Sequence, residues 1–351
     1  MKIGKVTSHE VARLAGVSQT TVSRAFNREG SVSDATLKRI RAAAEKLGYW
    51  PNELARSLIS RKSNMIGIVM GDILNPFYPA VLHAFTQKLQ TIGRHVLLFS
   101  VPAGADVDAV LPQMLQYQVA GVVITSATLS SRMARTIARA GTPVVLFNRT
   151  VYGNSVSSVC CANEQGAQNV ARLLCEAGHR RFGIIGGRAD TSTHVERRRA
   201  FVGELERHGI PEPVEASGAN TYGGGFDAAR RMLSAPDRPT ALFCISDIMA
   251  LGALDAARRE LSLSVPDDVS IVGFDDIPAA AWPSYELTTV QQPVDAMVDG
   301  AIAVLLRQIE DPSVAPSVVR VPGRLIVRAS ARLTPVQPGV ATGGAQDRRP
   351  G

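Results

Sequence analysis

The chain has 351 residues, 45% of them hydrophobic, with four cysteines and a formal net charge of +7. A chain of this length is expected to form two or three domains with packed cores. No run approaches the roughly 18 apolar residues that a membrane span needs, and MKIGKVTSHE lacks the apolar stretch of a signal peptide. These features argue against a membrane protein and predict a cytoplasmic one.

The positive charge is concentrated at the N-terminus. Residues 1–63 hold 12 Lys/Arg against 5 Asp/Glu, whereas the rest of the chain holds 26 of each. A basic unit of this size fits nucleic-acid binding, but it also fits a solvated basic face. The pattern of the helices has to decide between the two.

The cysteines stand mostly in apolar runs and show no C-x-x-C spacing. This placement predicts reduced thiols in the core, with a disulfide or a zinc site as the alternative. No cofactor or metal is predicted. The residues are Cys160, Cys161, Cys175 and Cys244.

The first 50 residues contain signals for three helices. Thr7 and Glu10 have the spacing of a capping box, and Gly16 suits the position just after the first helix. Ser18 can cap a second helix. A third helix, with apolar residues at helical spacing, stops at Gly48.

The second helix has a polar face suited to DNA. If Val22 marks its buried side, Thr20 and Arg24 point almost opposite, and Gln19 lies in the first turn. Two helices joined by a glycine-containing turn form a helix-turn-helix, whose second helix enters the major groove N-terminus first. Amide and guanidinium groups can read base edges there, and hydroxyl groups suit phosphates. The alternative, a solvent-facing helix in a small bundle, fits an arginine-containing +7 unit less well.

From residue 65 onward, the sequence consists of short apolar runs that alternate with stretches long enough to form helices. Such runs predict parallel sheets covered on both faces, arranged as two doubly wound lobes. The predicted strands are MIGIVM, HVLLFS, GVVIT, PVVLF, FGIIGG, ALFCIS and VSIVGFDD, and the predicted helices are 77–92, 130–140, 164–177, 194–209 and 247–261. The Gly/Pro-rich tail VQPGVATGGAQDRRPG is predicted to be disordered.

Two sets of motifs resemble the lactose/galactose repressor (LacI/GalR) family. The segment VTSHEVARLAGVSQTTVSRAFNREGSVSDATLKRIRAAAEKLGYWPNELARSL resembles its DNA-binding headpiece. NPFY, TALFCISDIMALGAL, VPDDVSIVGFDD and LTTVQQP resemble its effector-binding core. The resemblance runs from about residue 6 to 334. It implies a sequence-specific transcriptional regulator, most simply a repressor, whose core is similar to periplasmic sugar-binding proteins.

The resemblance also implies domain boundaries. An all-α headpiece would occupy residues 1–50, a hinge helix 51–63, an α/β core 64–334 and a disordered tail 335–351. Within the core, the implied segments are about 64–162 and 293–322 for lobe one, and 163–292 and 323–334 for lobe two.

The family's DNA-binding positions transfer to this sequence residue by residue. Gln19, Thr20 and Arg24 match its base-reading positions. Leu58 matches a leucine that wedges into the minor groove at the operator centre; an ordinary linker-helix contact is the alternative reading. The full implied set is Thr7, Ser18, Gln19, Thr20, Thr21, Ser23, Arg24, Asn27, Thr36, Asn52, Ala55 and Leu58.

The effector positions transfer in the same way. They are Phe77, Tyr78, Asn148, Thr193, Arg197, Ser246 and Asp275. An arginine opposite an aspartate and an asparagine suits a polyhydroxyl ligand, because charged groups form strong hydrogen bonds to hydroxyls. Asp275 follows a strand at its carboxyl end, where open α/β sheets bind ligands. The adjacent Asp276 is equally readable as a cap or turn residue.

The sequence departs from the family pattern near the implied pocket. Asn220 and Val294 stand where aromatic residues are common, and Arg198 and Arg199 extend the pocket arginine into a run. Less stacking and more positive charge would fit a sugar acid. The alternative is that Arg198 and Arg199 face solvent.

The implied partners are double-stranded DNA with a pseudo-palindromic operator, a sugar or sugar acid as effector, and a second copy of the chain. The resemblance implies a dimer rather than a tetramer, because the family's tetramers use a C-terminal leucine-heptad helix and no leucine follows Leu333 here. An enzyme is disfavoured: GIIGGRAD is not G-x-G-x-x-G, HEVAR lacks a second metal-binding histidine, and no G-x-S-x-G appears. A sugar-transport protein is disfavoured by the basic headpiece.

Overall fold

A computed structural model of the chain describes residues 6–26, 32–50, 63–101, 108, 110–125, 133, 136, 141–151 and 156–333. The chain divides into two compact units, Met1–Asn64 and Met65–Gly351. The predicted hinge helix, the tail, most of the helix predicted at 130–140, and four predicted DNA-binding residues lie outside the described residues. Those four residues are Asn27, Asn52, Ala55 and Leu58.

The first unit contains helices α1 (Ser8–Ala15), α2 (Gln19–Phe26) and α3 (Asp34–Leu47). Each helix contributes apolar residues to one small core, among them the fully or almost fully buried Val11, Val22 and Ile40. The Thr7 N–H donates to the Glu10 carboxylate at 2.8 Å, as the predicted capping box requires. Gly16 and Gly48 follow α1 and α3 with φ of 63° and 65°, so both predicted helix stops are confirmed.

In the described part of the second unit, the first sheet has the strand order β11-β5-β4-β3-β1-β2, and all its pairs are parallel. Helices on this sheet include α4 (Phe77–Thr91), α5 (Leu111–Leu115) and α10 (Val294–Glu310). The strands are β1 (Met65–Gly71), β2 (His95–Val101), β3 (Gly121–Thr125), β4 (Val144–Phe147), β5 (Ser157–Cys161) and β11 (Val318–Val321).

The second sheet has the order β12-β10-β9-β8-β6-β7 and is parallel except for the β10–β12 pair. Its strands are β6 (Phe182–Gly186), β7 (Val214–Ser217), β8 (Ala241–Cys244), β9 (Ser270–Asp275), β10 (Thr288–Gln291) and β12 (Arg324–Ile326). Its helices are α6 (Asn163–Glu176), α7 (Ser192–Arg207), α8 (Tyr222–Leu233) and α9 (Asp247–Asp255), the last continued by a π-turn at Ala256–Glu260.

The chain passes between the two sheets three times. The crossings follow β5, β10 and β11, at residues 161–163, 291–294 and 321–324. We call the first sheet with its helices lobe one and the second sheet with its helices lobe two. Because most strands are parallel, the carboxyl ends of the strands in each lobe lie at one edge of its sheet.

The apolar runs located seven of the twelve strands in the part of the chain that the structure describes. All seven predicted strands are present, within two residues of their expected ends. The four cysteines are free and buried, as predicted, and burial raises the pKa of the Cys161 thiol to about 11. Helix α8 was not predicted, because its first turn contains the triplet Gly223, Gly224 and Gly225.

Close packing of α8 against α9 explains two glycines. A Cβ on Gly225 would lie against the backbone carbonyl of Met249, and a Cβ on Gly252 against that of Tyr222. The backbones of the two helices therefore approach more closely than any larger residue allows. Gly223 lies two residues before Gly225 on α8, and a Cβ added there would have open space, with no other atom within 4 Å.

This difference predicts opposite outcomes for two matched substitutions. Gly225→Ala should destabilise the core by about 1–3 kcal/mol, since backbone atoms cannot move aside easily. Gly223→Ala should be neutral or stabilising by up to about 1 kcal/mol, because it reduces the entropy of the unfolded chain. Urea unfolding of the full chain checks both, and equal stabilities for the two variants would contradict the close helix–helix approach.

Candidate functional site

The exposed face of α2 contains the residues expected to meet DNA. Among the residues of α2, only Val22 is buried, while Gln19, Thr20, Ser23 and Arg24 are exposed. No hydrogen bond or ion pair to another described residue engages Arg24. The side-chain amide of Gln19 donates to the Ser8 hydroxyl at 3.1 Å, which holds it against the start of α1.

Several predicted phosphate-binding hydroxyls also stabilise helix ends. The Ser18 hydroxyl accepts from the Thr21 N–H at 3.1 Å and shares a hydrogen bond with the Thr21 hydroxyl. Thr36 shares a hydrogen bond with the hydroxyl of Ser33, the residue before α3. Thr7 precedes α1 and is exposed.

A second set of predicted residues gathers where the strands of both lobes end. Asn148 follows β4 in lobe one, and Phe77 and Tyr78 begin α4. In lobe two, Asp275 ends β9 and Ser246 follows β8. Thr193 and Arg197 lie one turn apart on α7. All seven predicted effector residues are at least nine-tenths buried.

A buried ion pair lies at the centre of this cluster. Arg197 Nη1 is 3.4 Å from Asp275 Oδ1, and both side chains are at most 6% exposed. The Arg197 guanidinium also lies 3.6 Å from the centroid of the Phe274 ring, donates from Nε to Asn163 Oδ1 at 2.9 Å and donates to the Ile245 carbonyl at 2.6 Å. Asn163, which the sequence did not single out, is therefore the asparagine bonded to Arg197, and Asn148 lies in the same cluster without a bond to it.

Asp275 has further donors that sequence reasoning missed. Gln292 Nε2 donates to Asp275 Oδ1 at 2.6 Å, and the backbone N–H of Asp247, at the start of α9, helps to lower the pKa of this carboxyl against the effect of burial. Gln292 belongs to the motif LTTVQQP, which was recognised, but only the fold brings it to Asp275. Asp275 adopts φ of 137°, a strained value for a non-glycine residue.

Five side chains in this region each leave a buried polar atom without a hydrogen-bond partner among the described residues. The atoms are Asn148 Oδ1, Arg149 Nε, Arg197 Nη2, Ser246 Oγ and Gln292 Oε1. Buried polar atoms are almost always satisfied in folded proteins, so a group of five marks a place where a ligand or water completes the bonding. The group comprises two acceptors, two donors and one hydroxyl.

The two lobes contact each other directly beside this cluster. Arg149, from lobe one, donates to the Thr193 hydroxyl at 2.9 Å, and the Thr150 N–H donates to the Ser192 hydroxyl at 3.1 Å. The Tyr78 hydroxyl interacts electrostatically with Arg149 of lobe one and with Asp275 and Arg197 of lobe two. Burial raises the pKa of Tyr78, and Arg149 opposes that shift most strongly. The cluster is thus built from both lobes.

Three charged residues beside the cluster have other partners. Asp276 accepts from Gln291 at 2.8 Å and forms an ion pair with Arg328 at 2.7 Å, so it holds the end of β9 in place. Arg198 and Arg199 are paired with glutamates at the surface and add no free charge to the pocket. Their partners are Glu212 and Glu215 for Arg198, and Glu164 for Arg199.

Asp247 lies fully buried next to Asp275. Its carboxylate contacts the Thr289 hydroxyl at 2.5 Å and accepts from the Ile277 N–H at 2.9 Å. Burial, followed by repulsion from Asp275, raises the pKa of Asp247 to about 8. Burial raises the pKa of Asp275 as well, but Arg197 opposes that shift, so we expect Asp247 to be the member of the pair that holds a proton at neutral pH.

A raised carboxyl pKa makes stability fall with rising pH. Between an unfolded pKa of about 4 and the folded value, the native chain binds more protons than the unfolded chain, so stability is lost as the pH rises through this window. Asp247→Asn should remove this loss, because the amide is uncharged, as the protonated acid is, and its carbonyl oxygen can still accept from the Ile277 N–H. The variant should gain on the order of 1–2 kcal/mol over wild type between pH 6 and pH 8.

Urea unfolding at pH 6, 7 and 8 measures the difference, with the exposed-site variant Asp237→Asn as control. Parallel pH profiles for wild type and Asp247→Asn would show that Asp247 is ionised in the folded chain across this range.

Comparisons with known proteins agree with this architecture. The lacI family of bacterial regulatory proteins matches residues 7–52, and a periplasmic binding protein-like domain matches residues 171–331. Catabolite control protein A of Priestia megaterium and the ribose operon repressor of Escherichia coli (strain K12) are each 30% identical, covering 93% of this chain and 99% of the relative. These relatives are regulators and not enzymes. None of the described helices is long and apolar enough to cross a membrane.

Solved structures support the same relationship. The lac repressor dimer bound to operator and an anti-inducer matches with a TM-score of 0.83 at 26% identity, covering 93% of this chain and 98% of that chain. The regulator CelR in complex with cellobiose matches with a TM-score of 0.70 at 30% identity, covering 93% and 100%. With its helix-turn-helix unit and its two-lobed core in the same order as these relatives, the chain belongs to the lacI family of bacterial regulatory proteins.

Proposed function

We propose that this regulator is a repressor that binds a pseudo-palindromic operator as a homodimer. Its operator affinity would change when a small polar effector binds between the lobes. The observation that supports the effector role is the group of five buried, unpartnered polar atoms on side chains of both lobes. A site of this kind requires a ligand with both donors and acceptors.

A hydroxyl-rich molecule meets that requirement, because each hydroxyl both donates and accepts. The Asn148 and Gln292 carbonyl oxygens can accept from such hydroxyls, and the Arg197 guanidinium can donate to them. Phe77 and Tyr78 offer apolar surface beside the polar atoms. The complex of CelR with cellobiose is a precedent for a sugar ligand in a related regulator. A sugar or sugar acid is therefore the proposed effector class.

DNA binding is proposed for the exposed face of α2. Gln19, Thr20 and Arg24 would read base edges, and the hydroxyls of nearby residues would contact phosphates. The phosphate-contacting set is Thr7, Ser18, Thr21, Ser23 and Thr36. The roles of Asn27, Asn52, Ala55 and Leu58 stay predictions from the family resemblance.

A two-fold dimer would place two α2 helices on the two half-sites of an operator. The lac repressor likewise binds its operator as a dimer. The effector can shift the balance between lobe arrangements only by binding one of them more tightly. Such a shift would alter operator affinity through the segment that joins the two units. The proposed place of action is the cytoplasm, where the chromosome is accessible.

The base-reading role of Arg24 predicts a loss of specificity. Arg24→Ala should weaken binding to the operator, identified by genomic footprinting, by about 1–3 kcal/mol and relax the preference at one base pair. Lys38→Ala, at an exposed position of α3, should weaken binding to all DNA sequences alike and reduce the salt dependence of DNA binding. Binding titrations on operator and random duplexes distinguish the two. Equal losses on both duplexes for Arg24→Ala would reduce its role to a phosphate contact.

The effector role of Asp275 is testable with its neighbour as control. Asp275→Asn removes the charge but keeps the shape, and should weaken effector binding at least about 10-fold, since a hydrogen bond to a charged group is lost. Asp276→Asn changes a carboxylate that is bonded to Arg328 and Gln291 instead, and should leave effector affinity unchanged. A thermal-shift panel of sugars, sugar acids and phosphosugars supplies the ligand. A hit that binds both variants as tightly as wild type would place the effector elsewhere.

A further inference from the structure

Three arginines in or beside the cluster differ in how their charge is compensated. Arg188 is paired with Asp190 through two contacts, at 2.8 and 3.2 Å. Arg197 is paired with Asp275. Arg149 donates only to neutral oxygens, the Thr193 hydroxyl at 2.9 Å and the Asn148 carbonyl at 2.8 Å. No carboxylate among the described residues forms an ion pair with Arg149.

The Nε–H of Arg149 is buried and has no partner among the described residues. Buried guanidinium groups normally have an anion and a full set of acceptors, because desolvating the charge is costly. Two carboxylates interact electrostatically with Arg149 without an ion pair to it: Asp190, which is paired with Arg188, and the half-buried Asp72, which follows β1. Burial raises the pKa of Asp72, and Arg149 and then Arg188 oppose that shift from a distance, without a hydrogen bond to either arginine.

Arg149 contacts the helix that carries Arg197, one turn away from it. Arg149 is bonded to Thr193, and Arg197 lies four residues further on, one helical turn away. Arg197 has its own unpartnered N–H, at Nη2, although its side chain is only 4% exposed. Two guanidinium groups, one from each lobe, thus have free donors in the same buried region.

We propose that Arg149 binds an anionic group of the effector, with Arg197 as the second donor, so that the effector is an acidic sugar or a similar small hydroxylated anion. This inference rests on the proposed function and narrows it. A guanidinium binds a carboxylate or phosphate through two parallel hydrogen bonds, which fixes orientation as well as charge. The hydroxyl-binding atoms of Asn148, Ser246 and Gln292 remain available for the rest of the molecule.

Arg149, rather than the arginine run on α7, supplies the uncompensated positive charge. The sequence suggested Arg198 and Arg199 as sources of that charge, but both form ion pairs with glutamates outside the cluster. Arg149 was not singled out, because its proximity to Thr193 depends on the meeting of two lobes. An anion held by Arg149 and Arg197 together would also connect lobe one to lobe two.

The test uses matched ligands that differ only in charge. D-glucuronate and D-galacturonate are compared with D-glucose and D-galactose, and with the corresponding hexose 6-phosphates, by calorimetry on the full-length protein. We expect the wild type to bind a uronate or a phosphosugar at least about 10-fold more tightly than its neutral parent, as a charged hydrogen-bond pair implies. Tighter binding of a uronate identifies the anionic group as a carboxylate, and tighter binding of a hexose 6-phosphate identifies it as a phosphate.

Three variants then assign the preference to Arg149. Arg149→Met keeps the length and apolar body of the side chain and should reduce the acid-over-neutral preference to within about 3-fold, since the charged pair is lost. Arg149→Lys keeps the positive charge but lacks the planar guanidinium that forms two parallel hydrogen bonds, so it should retain part of the acid-over-neutral preference. Arg198→Met removes an α7 arginine bonded at the surface and should retain all of it. Thermal melts confirm that each variant is folded.

An acid-over-neutral preference that persists in Arg149→Met would overturn the proposal. So would the absence of any difference between the acids and their neutral parents in wild type, whether all of them bind or none does. The proposed function is tested separately: a neutral sugar that binds wild type and alters its operator affinity would support the repressor while contradicting the anion site. Failure to select any operator sequence would contradict the repressor itself.

Discussion

The buried Arg197–Asp275 ion pair is the interaction on which the arrangement of the core depends. A buried charge is tolerated only when its partners are in place, and removal of one partner leaves the other charge uncompensated. Two partners of this pair come from the segments that cross between the lobes. Asn163, at the first crossing, accepts from Arg197, and Gln292, at the second, donates to Asp275.

The third crossing joins the same network through one more residue. Asn163 donates to Glu196 at 2.8 Å, and Glu196 forms an ion pair with Arg320, at the end of β11 just before the third crossing. A change at the ion pair therefore reaches all three connections between the lobes by hydrogen bonds. This connectivity gives a physical route by which a ligand that contacts Arg197 or Asp275 can favour one lobe arrangement over another.

The sequence predicted the parts of the fold that local patterns determine. Buried parallel strands read as apolar runs, and the headpiece helices have caps and stops that are visible in the sequence. Five strands in the described part of the chain were missed. Strands β7 (VEAS), β11 (VVRV) and β12 (RLI) are partly exposed, and strands β5 (SSVCC) and β10 (TTVQ) are mostly buried but contain too many hydroxyl residues to read as aliphatic runs. Helix α8 was missed because three glycines at its start lower local helix propensity, whereas close packing against α9 requires Gly225 to lack a side chain.

The candidate site was predicted only in part for a similar reason. Arg197 and Asp275 came from the family resemblance, but Asn163, Gln292 and Arg149 contact them or their neighbours only after the lobes fold together. The role of Arg198 depended on Glu212 and Glu215, which reach it from the segment around β7. Partner choice between distant charged residues is set by tertiary structure, and a local pattern cannot determine it.

Effector binding at the ion pair and operator binding at the headpiece should be energetically linked. The most direct test measures effector affinity twice on the full-length protein, once free and once saturated with operator DNA. Linkage requires the two affinities to differ by the same factor by which the effector changes operator affinity. We predict such a reciprocal difference. Identical effector affinities in the free and operator-bound protein would contradict the linkage.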